Sequence, residues 1–136
     1  MKSKVVSLCL LLFILISASC KKESIPGITG QWTSVAFYIK DDGIFKWASP
    51  TRFAQSMGLY SNSRFTTFTD VPGGSGTYMY DNSSQKLVLN YEADQYGNTV
   101  SSEILQVEKL TSGQLIISSF SSSGELLMKT EYSRTD

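Results

Sequence analysis

The feature that most limits how this chain can fold is a series of eight short β-prone runs separated by turn-forming clusters. Glycine, serine, asparagine and aspartate dominate the clusters, and no long helical period lies between them, so the pattern predicts strands joined mostly by hairpin-length turns. Eight sequential antiparallel strands favour an all-β fold, a small up-and-down β-barrel, because closure removes both exposed sheet edges. A β-sandwich is the alternative. The predicted strands are 31–40, 56–60, 64–69, 76–80, 86–92, 99–109, 114–120 and 126–134.

The connection between the first two predicted strands, 41–50, is longer and more apolar than the others and reads DDGIFKWASP. One interpretation is a hairpin, in which Asp41-Asp42-Gly43 form a turn and 44–48 runs back beside the first strand. A second is a helical turn at Ser49-Pro50, with serine as N-cap and proline at the first position. A third is a flap over a barrel mouth, formed by the apolar side chains Ile44, Phe45 and Trp47.

The first twenty residues have the layout of a secretory signal. Lys2 and Lys4 give a positive start, 5–16 is an almost continuous apolar run, and the small residues 17–19 precede Cys20. The apolar run is too short for a comfortable membrane span. We therefore expect a signal peptide over 1–19, a flexible tether over 20–28 and one barrel domain over 29–136.

A small-residue stretch followed directly by cysteine resembles the signal of bacterial lipoproteins, in which that cysteine becomes the acylated N-terminus. Cys9 lies in the expected signal peptide, so Cys20 is the only cysteine of the mature chain and has no partner for an internal disulfide. Each buried acyl methylene adds about 0.8 kcal/mol to anchoring. The resemblance implies lipidation at Cys20 and a place in the bacterial cell envelope, at the outer membrane on its periplasmic or surface face. An ordinary cleaved signal with an incidental cysteine is the alternative.

Charge and residue usage narrow the classes of function. Removing Lys2 and Lys4 from the 12 basic residues leaves 10 against 12 acidic ones, with no basic run beyond Lys21-Lys22, which argues against a nucleic-acid partner. The chain has no histidine, which excludes Ser-His and Cys-His nucleophile pairs and histidine metal sites. The adjacent carboxylates Asp41-Asp42 read as turn formers. We therefore expect no enzyme activity, no metal and no cofactor.

Alternation along the predicted strands indicates which side chains point inward. On the last strand, one face carries Met128 and Arg134, while the other face is mainly polar. An eight-stranded barrel can enclose one small ligand, and ligand pockets are mainly apolar with a few polar groups. The candidate lining residues are Tyr38, Met57, Tyr78, Tyr80, Leu89, Tyr91 and Met128, with Phe45 and Trp47 at the mouth.

The Gly30-x-Trp32 start, the eight strands, the long first connection and the arginine on the last strand together resemble the lipocalin-like barrels of the calycin group. The resemblance covers about residues 28–135. In that family the tryptophan lies at the closed end of the barrel and the arginine packs across its ring, and the matching residues are Trp32 and Arg134. A guanidinium over an indole face is a favourable cation–π contact. The resemblance therefore implies a barrel plugged at one end by Trp32 and Arg134.

Two functions of different kinds follow from these expectations. The first is a membrane-anchored binding protein, whose barrel holds a small apolar molecule among the candidate lining residues. The second is an envelope interaction or structural protein, in which the same residues fill the barrel as core. In that case a surface, with 41–50 as the candidate, docks on another envelope protein.

Overall fold

The computed structural model describes residues 27–41, 44–49, 55–68, 73–93 and 100–136. The predicted signal peptide, Cys20 and most of the predicted tether lie outside these residues. The described residues form nine strands and no helix, and so none that is long and apolar enough to cross a membrane. The strands are β1 Gly30–Asp41, β2 Ile44–Ala48, β3 Ser56–Leu59, β4 Arg64–Phe68, β5 Ser75–Asp81, β6 Lys86–Tyr91, β7 Ser101–Leu110, β8 Gln114–Phe120 and β9 Leu126–Arg134.

Eight of the strands close into a barrel. From β3 to β9 each strand pairs antiparallel with the next along the chain, and β1 pairs with both β3 and β9. The closing ladder joins β1 to β9 from Trp32 opposite Arg134 to Tyr38 opposite Lys129. The predicted all-β, up-and-down barrel is therefore confirmed over the β-sandwich, and its architecture is compatible with a lipocalin-like fold.

The ninth strand, β2, was not among the eight predicted strands, but it was one of the three interpretations of 41–50. It pairs antiparallel with the end of β1, from Phe37 opposite Ala48 to Asp41 opposite Ile44. The hairpin interpretation is confirmed, and the flap in its loop form is wrong because Ile44 to Trp47 are strand residues. The helical turn was placed at Ser49-Pro50, and Pro50 lies outside the described residues.

A β-bulge in β1 changes which side chains of this strand face the interior. Trp32 and Ser34 point inward, and the register then shifts between Ser34 and Ala36, so that Phe37 takes the next inward position. An extra residue in one strand reverses the alternation beyond it. Tyr38, which strict alternation placed inside, therefore lies on the outer face opposite Lys129, and its predicted lining role is wrong.

Trp32 fills the end of the barrel where β1 begins, called here the closed end. Its ring is fully buried, and its Nε1 donates a hydrogen bond of 2.9 Å to the carbonyl of Ile28. The guanidinium carbon of Arg134 lies 4.6 Å from the ring centroid, and its Nη2 donates to the carbonyl of Gly27 at 3.0 Å. Gly30 has φ +152°, and a Cβ there would lie 3.0 Å from the Arg134 guanidinium carbon. The glycine of the Gly-x-Trp start is thus required by the same packing.

The half of the barrel next to the closed end is filled by large apolar side chains with little or no exposure. Because they come from strands all around the barrel, this half is a continuous core. Its fully buried members besides Trp32 are Leu59, Phe65, Leu87, Val107 and Leu115.

Candidate binding cavity at the open end of the barrel

The opposite end of the barrel, called here the open end, contains a cavity of about 190 Å³. At this end β4, β6 and β8 finish and β3, β5, β7 and β9 begin, because neighbouring strands run antiparallel. An apolar cavity of about 150 Å³ holds benzene, so this one holds a molecule of about eight non-hydrogen atoms. It is smaller than the pockets of about 300–1,000 Å³ that take drug-sized ligands.

One wall of the cavity is apolar and comes from strands that are distant in sequence. Leu89 and Leu105 are buried on β6 and β7, Ile117 is buried on β8, and Met57 is buried on β3. Met128 adds a thioether from β9. Leucine and isoleucine hold the shape of this wall, while the two flexible methionines let it adapt to the outline of a ligand.

The lining also has a polar part, which includes Glu103. The phenol oxygen of Tyr91 donates a hydrogen bond of 3.2 Å to Glu103 Oε2, and that of Tyr132 donates to Gln55 Oε1 at 3.3 Å. Burial raises the pKa of both phenols, and the negative charge of Glu103 raises them further. Both tyrosines therefore remain protonated hydrogen-bond donors at neutral pH.

Glu103 faces the interior because of the register between β6 and β7. It lies directly opposite Leu89, and Leu105 lies opposite Leu87, so all four side chains are on the inner face. Glu103 was not among the predicted lining residues. The signal was present as Glu103, Leu105 and Val107, three alternate positions of which the last two are buried.

The structure brings some of the predicted lining residues together and separates others. Met57, Leu89, Tyr91 and Met128 line the cavity. Tyr78 and Tyr80 lie further along β5 toward the closed end, where the Tyr78 phenol donates to the Tyr60 carbonyl at 3.0 Å. Neither tyrosine lines the cavity, because alternation predicts the face of a strand and not the depth in the barrel.

The remaining two, Phe45 and Trp47, form with Tyr38 what we call the outer aromatic cluster. The ring centroid of Tyr38 lies 5.1 Å from that of Phe45 and 5.3 Å from that of Trp47. Lys129 Nζ lies 5.9 Å from the Tyr38 centroid, on the outer face of the sheet. Trp47 is 49% exposed, and none of the three residues lines the cavity.

Tyr132 makes the stability of the barrel sensitive to alkaline pH. Burial raises its pKa to about 12, above the value of about 10 expected in the unfolded chain. Its contribution to stability is present below pH 10 and is lost as the pH rises toward 12, at about 1.4 kcal/mol per pH unit. Urea unfolding between pH 9 and 12 measures this slope. Tyr132→Phe is expected to flatten it, and an equal slope in both proteins would contradict the assignment.

The comparisons with known proteins leave the cavity as the main guide to function. No protein-family model matches the chain, and no curated protein matches it. Within the residues that the structure describes, no group of three or more histidine, cysteine, aspartate or glutamate side chains is placed to hold a metal ion. What the cavity offers chemically is apolar contact, hydrogen bonding and one negative charge.

Proposed function

We propose that this protein is a bacterial envelope lipoprotein whose lipocalin-like barrel binds one small, largely apolar molecule. The observation that carries the proposal is the cavity of about 190 Å³ at the open end, with its apolar wall and its few polar groups. Lining of this kind is typical of ligand sites. The Trp32 and Arg134 contact at the closed end supports the lipocalin-like part of the proposal.

The cavity is large enough for a small ligand to bind in the micromolar range. A dissociation constant of 1 μM corresponds to about 8.2 kcal/mol, or about 1 kcal/mol for each of about eight non-hydrogen atoms. Very small ligands reach at most about 1.5 kcal/mol per atom. A well-fitted ligand of this size therefore binds in the micromolar range, and a poorly fitted one binds in the millimolar range.

Filling the cavity with a side chain tests the proposal. Ser119 lies on the inner face, opposite Leu105 and Met128, and Ser119→Phe places a ring in the cavity. The wild-type mature protein is expected to bind toluene, with shifts of the Met57 and Met128 methyl signals in NMR spectra. We expect Ser119→Phe to weaken this binding at least tenfold.

Ser102→Phe is the matched control, since Ser102 is exposed on the outer face of β7 and pairs with Asn90. It should leave the toluene affinity unchanged, and circular dichroism checks that both variants fold. Native mass spectrometry of the purified mature protein adds a search for a co-purified small molecule. A wild-type protein that neither shifts with toluene nor carries such a molecule would overturn the proposed function.

The membrane anchor is a separate part of the proposal and rests on the sequence alone. The residues that support it are the lysines and apolar run of the first sixteen positions and the small residues before Cys20. The mass of the mature N-terminus tests it directly. We expect an acylated Cys20, and an unmodified Cys20 or cleavage elsewhere would contradict the anchor without affecting the cavity.

A protein partner in the envelope is the second candidate function, and the outer aromatic cluster is the observation that favours it. Trp47 is 49% exposed on the outlying strand β2, and its ring packs against Tyr38 beside Phe45. Exposed apolar side chains that lie together often mark interaction sites. A defined envelope protein that co-purifies with wild type and Ser119→Phe, but not with Trp47→Ala, would favour this function over ligand binding.

A further inference from the structure

We propose that the ligand of the cavity is a small organic cation, an ammonium group on an apolar body, with the ammonium at Glu103 and the body against the apolar wall. This inference rests on the proposed function and adds the chemical class of the ligand. The charge, the surroundings and the position of Glu103 support it.

Of the described residues that line the cavity, Glu103 is the only one with a formally charged side chain. Among the described residues no cation pairs with it, and its one hydrogen-bond partner is the neutral Tyr91 phenol. Two basic side chains of the described residues are paired with other carboxylates, Lys129 with Glu108 at 2.5 Å and Arg64 with Glu92 at 2.5 Å. Within the part of the chain that the structure describes, nothing compensates this negative charge, which attracts cations and repels carboxylate ligands.

Two aromatic rings lie beside this charge. Tyr91 bonds Glu103 directly, and the buried Tyr132 lines the same cavity, where the negative charge of Glu103 contributes to its raised pKa. The faces of aromatic rings attract ammonium groups, at exposed sites as well as buried ones. A carboxylate flanked by two neutral phenols therefore offers an ammonium group both a counter-charge and polarisable surfaces.

Glu103 lies at the mouth of the cavity, next to buried apolar side chains. Its inner-face neighbour on β7 is the buried Leu105, one step deeper into the barrel, and its cross-strand neighbour on β6 is the buried Leu89. Glu103 itself is exposed at the mouth. An ammonium group bound there keeps contact with water, so it avoids most of the desolvation cost that a deeper charge would incur. The apolar body of the ligand then fills the space below.

Three probe ligands of nearly equal size test whether the charge of the ligand, and not its shape, determines the affinity. Benzylamine is a cation, benzyl alcohol is neutral, and benzoate is an anion, and each has eight or nine non-hydrogen atoms. Titration calorimetry or NMR with the mature protein at neutral pH and low salt is expected to show benzylamine binding at least tenfold more tightly than benzyl alcohol. Benzoate should bind most weakly, and 0.5 M salt should narrow the difference, because charge interactions at an exposed mouth are screened.

Glu103→Gln removes the charge and keeps the size of the side chain. It is expected to give benzylamine and benzyl alcohol the same affinity, within about twofold, by weakening benzylamine alone. Glu92→Gln is the matched control, since Glu92 directly follows β6 at this end and is also exposed, but is paired with Arg64. It should leave the preference for benzylamine unchanged. Arg52 lies outside the described residues. Arg52→Gln is therefore measured as well, to test whether this side chain changes the preference for benzylamine.

The outcomes distinguish this inference from the proposed function. Equal affinities of wild type for benzylamine and benzyl alcohol, both lost in Ser119→Phe, would overturn the cationic ligand and leave a neutral-ligand site in place. A preference for benzylamine that appears only in Arg52→Gln, or that survives Glu103→Gln, would also overturn it. If no probe and no toluene binds to wild type, the proposed function fails together with the inference.

Discussion

Replacing Trp32 with alanine is expected to lower the free energy of unfolding by about 3–5 kcal/mol, as large aromatic-to-alanine changes in cores do. The ring is fully buried, its Nε1 bonds the Ile28 carbonyl, and the Arg134 guanidinium lies on its face. Its removal opens the closed end, leaves that carbonyl unpaired and deprives Arg134 of its aromatic surface. Urea unfolding of the mature protein, followed by circular dichroism, measures the loss.

Trp47→Ala is the matched control for this prediction. Trp47 is the other tryptophan of the chain, but it is 49% exposed on β2 and packs against Tyr38 on the outer face. We expect it to cost about 1 kcal/mol or less, the value of an aromatic pair at a surface. Equal losses in the two variants would show that Trp32 is not the centre of the closed end. Toluene affinity of the folded fraction should change little in Trp32→Ala, because the cavity lies at the opposite end.

Gly76→Ala is expected to destabilise the barrel by about 3 kcal/mol or more, or to prevent folding. A Cβ at Gly76 would lie 1.9 Å from the carbonyl oxygen of Asn90 and 3.0 Å from Cε1 of Phe65. The first contact is with the backbone of the neighbouring strand β6, so no side-chain rotation relieves it and the two strands must separate locally. Because Tyr91 lies opposite Gly76 on β6, this separation also displaces part of the polar cavity lining.

Gly113→Ala provides the control, since a Cβ there meets no atom within 4 Å in the turn between β7 and β8. It is expected to change the stability by less than about 0.5 kcal/mol. Chemical unfolding of both glycine variants under the same conditions measures the difference in their stability. A Gly76→Ala protein as stable as Gly113→Ala would mean that β5 and β6 are not as close as this register places them.

Some residues of the fold and of the site could be placed from the sequence, and others could not. The turn clusters and the two-residue period located the eight barrel strands, and with them the inward positions of Met57, Leu89, Tyr91 and Met128. The bulge at Ser34 to Ala36 was not visible as a break in the pattern, so Tyr38 was placed on the wrong face. Glu103 was visible in the alternation of β7, yet its meaning depends on Tyr91 and Tyr132, which come from other strands.

The sequence by itself determined which segments become the eight barrel strands, where most turns lie and, outside the bulge of β1, which side chains share a face. These properties follow from backbone sterics and turn chemistry over a few neighbouring residues, and so they are written locally. Only the tertiary structure decided how deep each inward side chain lies. It separated Tyr78, near the closed end, from Tyr91 at the cavity, and it brought Glu103, Tyr91 and Tyr132 together. Depth depends on the stagger of strands that are far apart in sequence, and that stagger is set only when β9 pairs with β1 and closes the barrel.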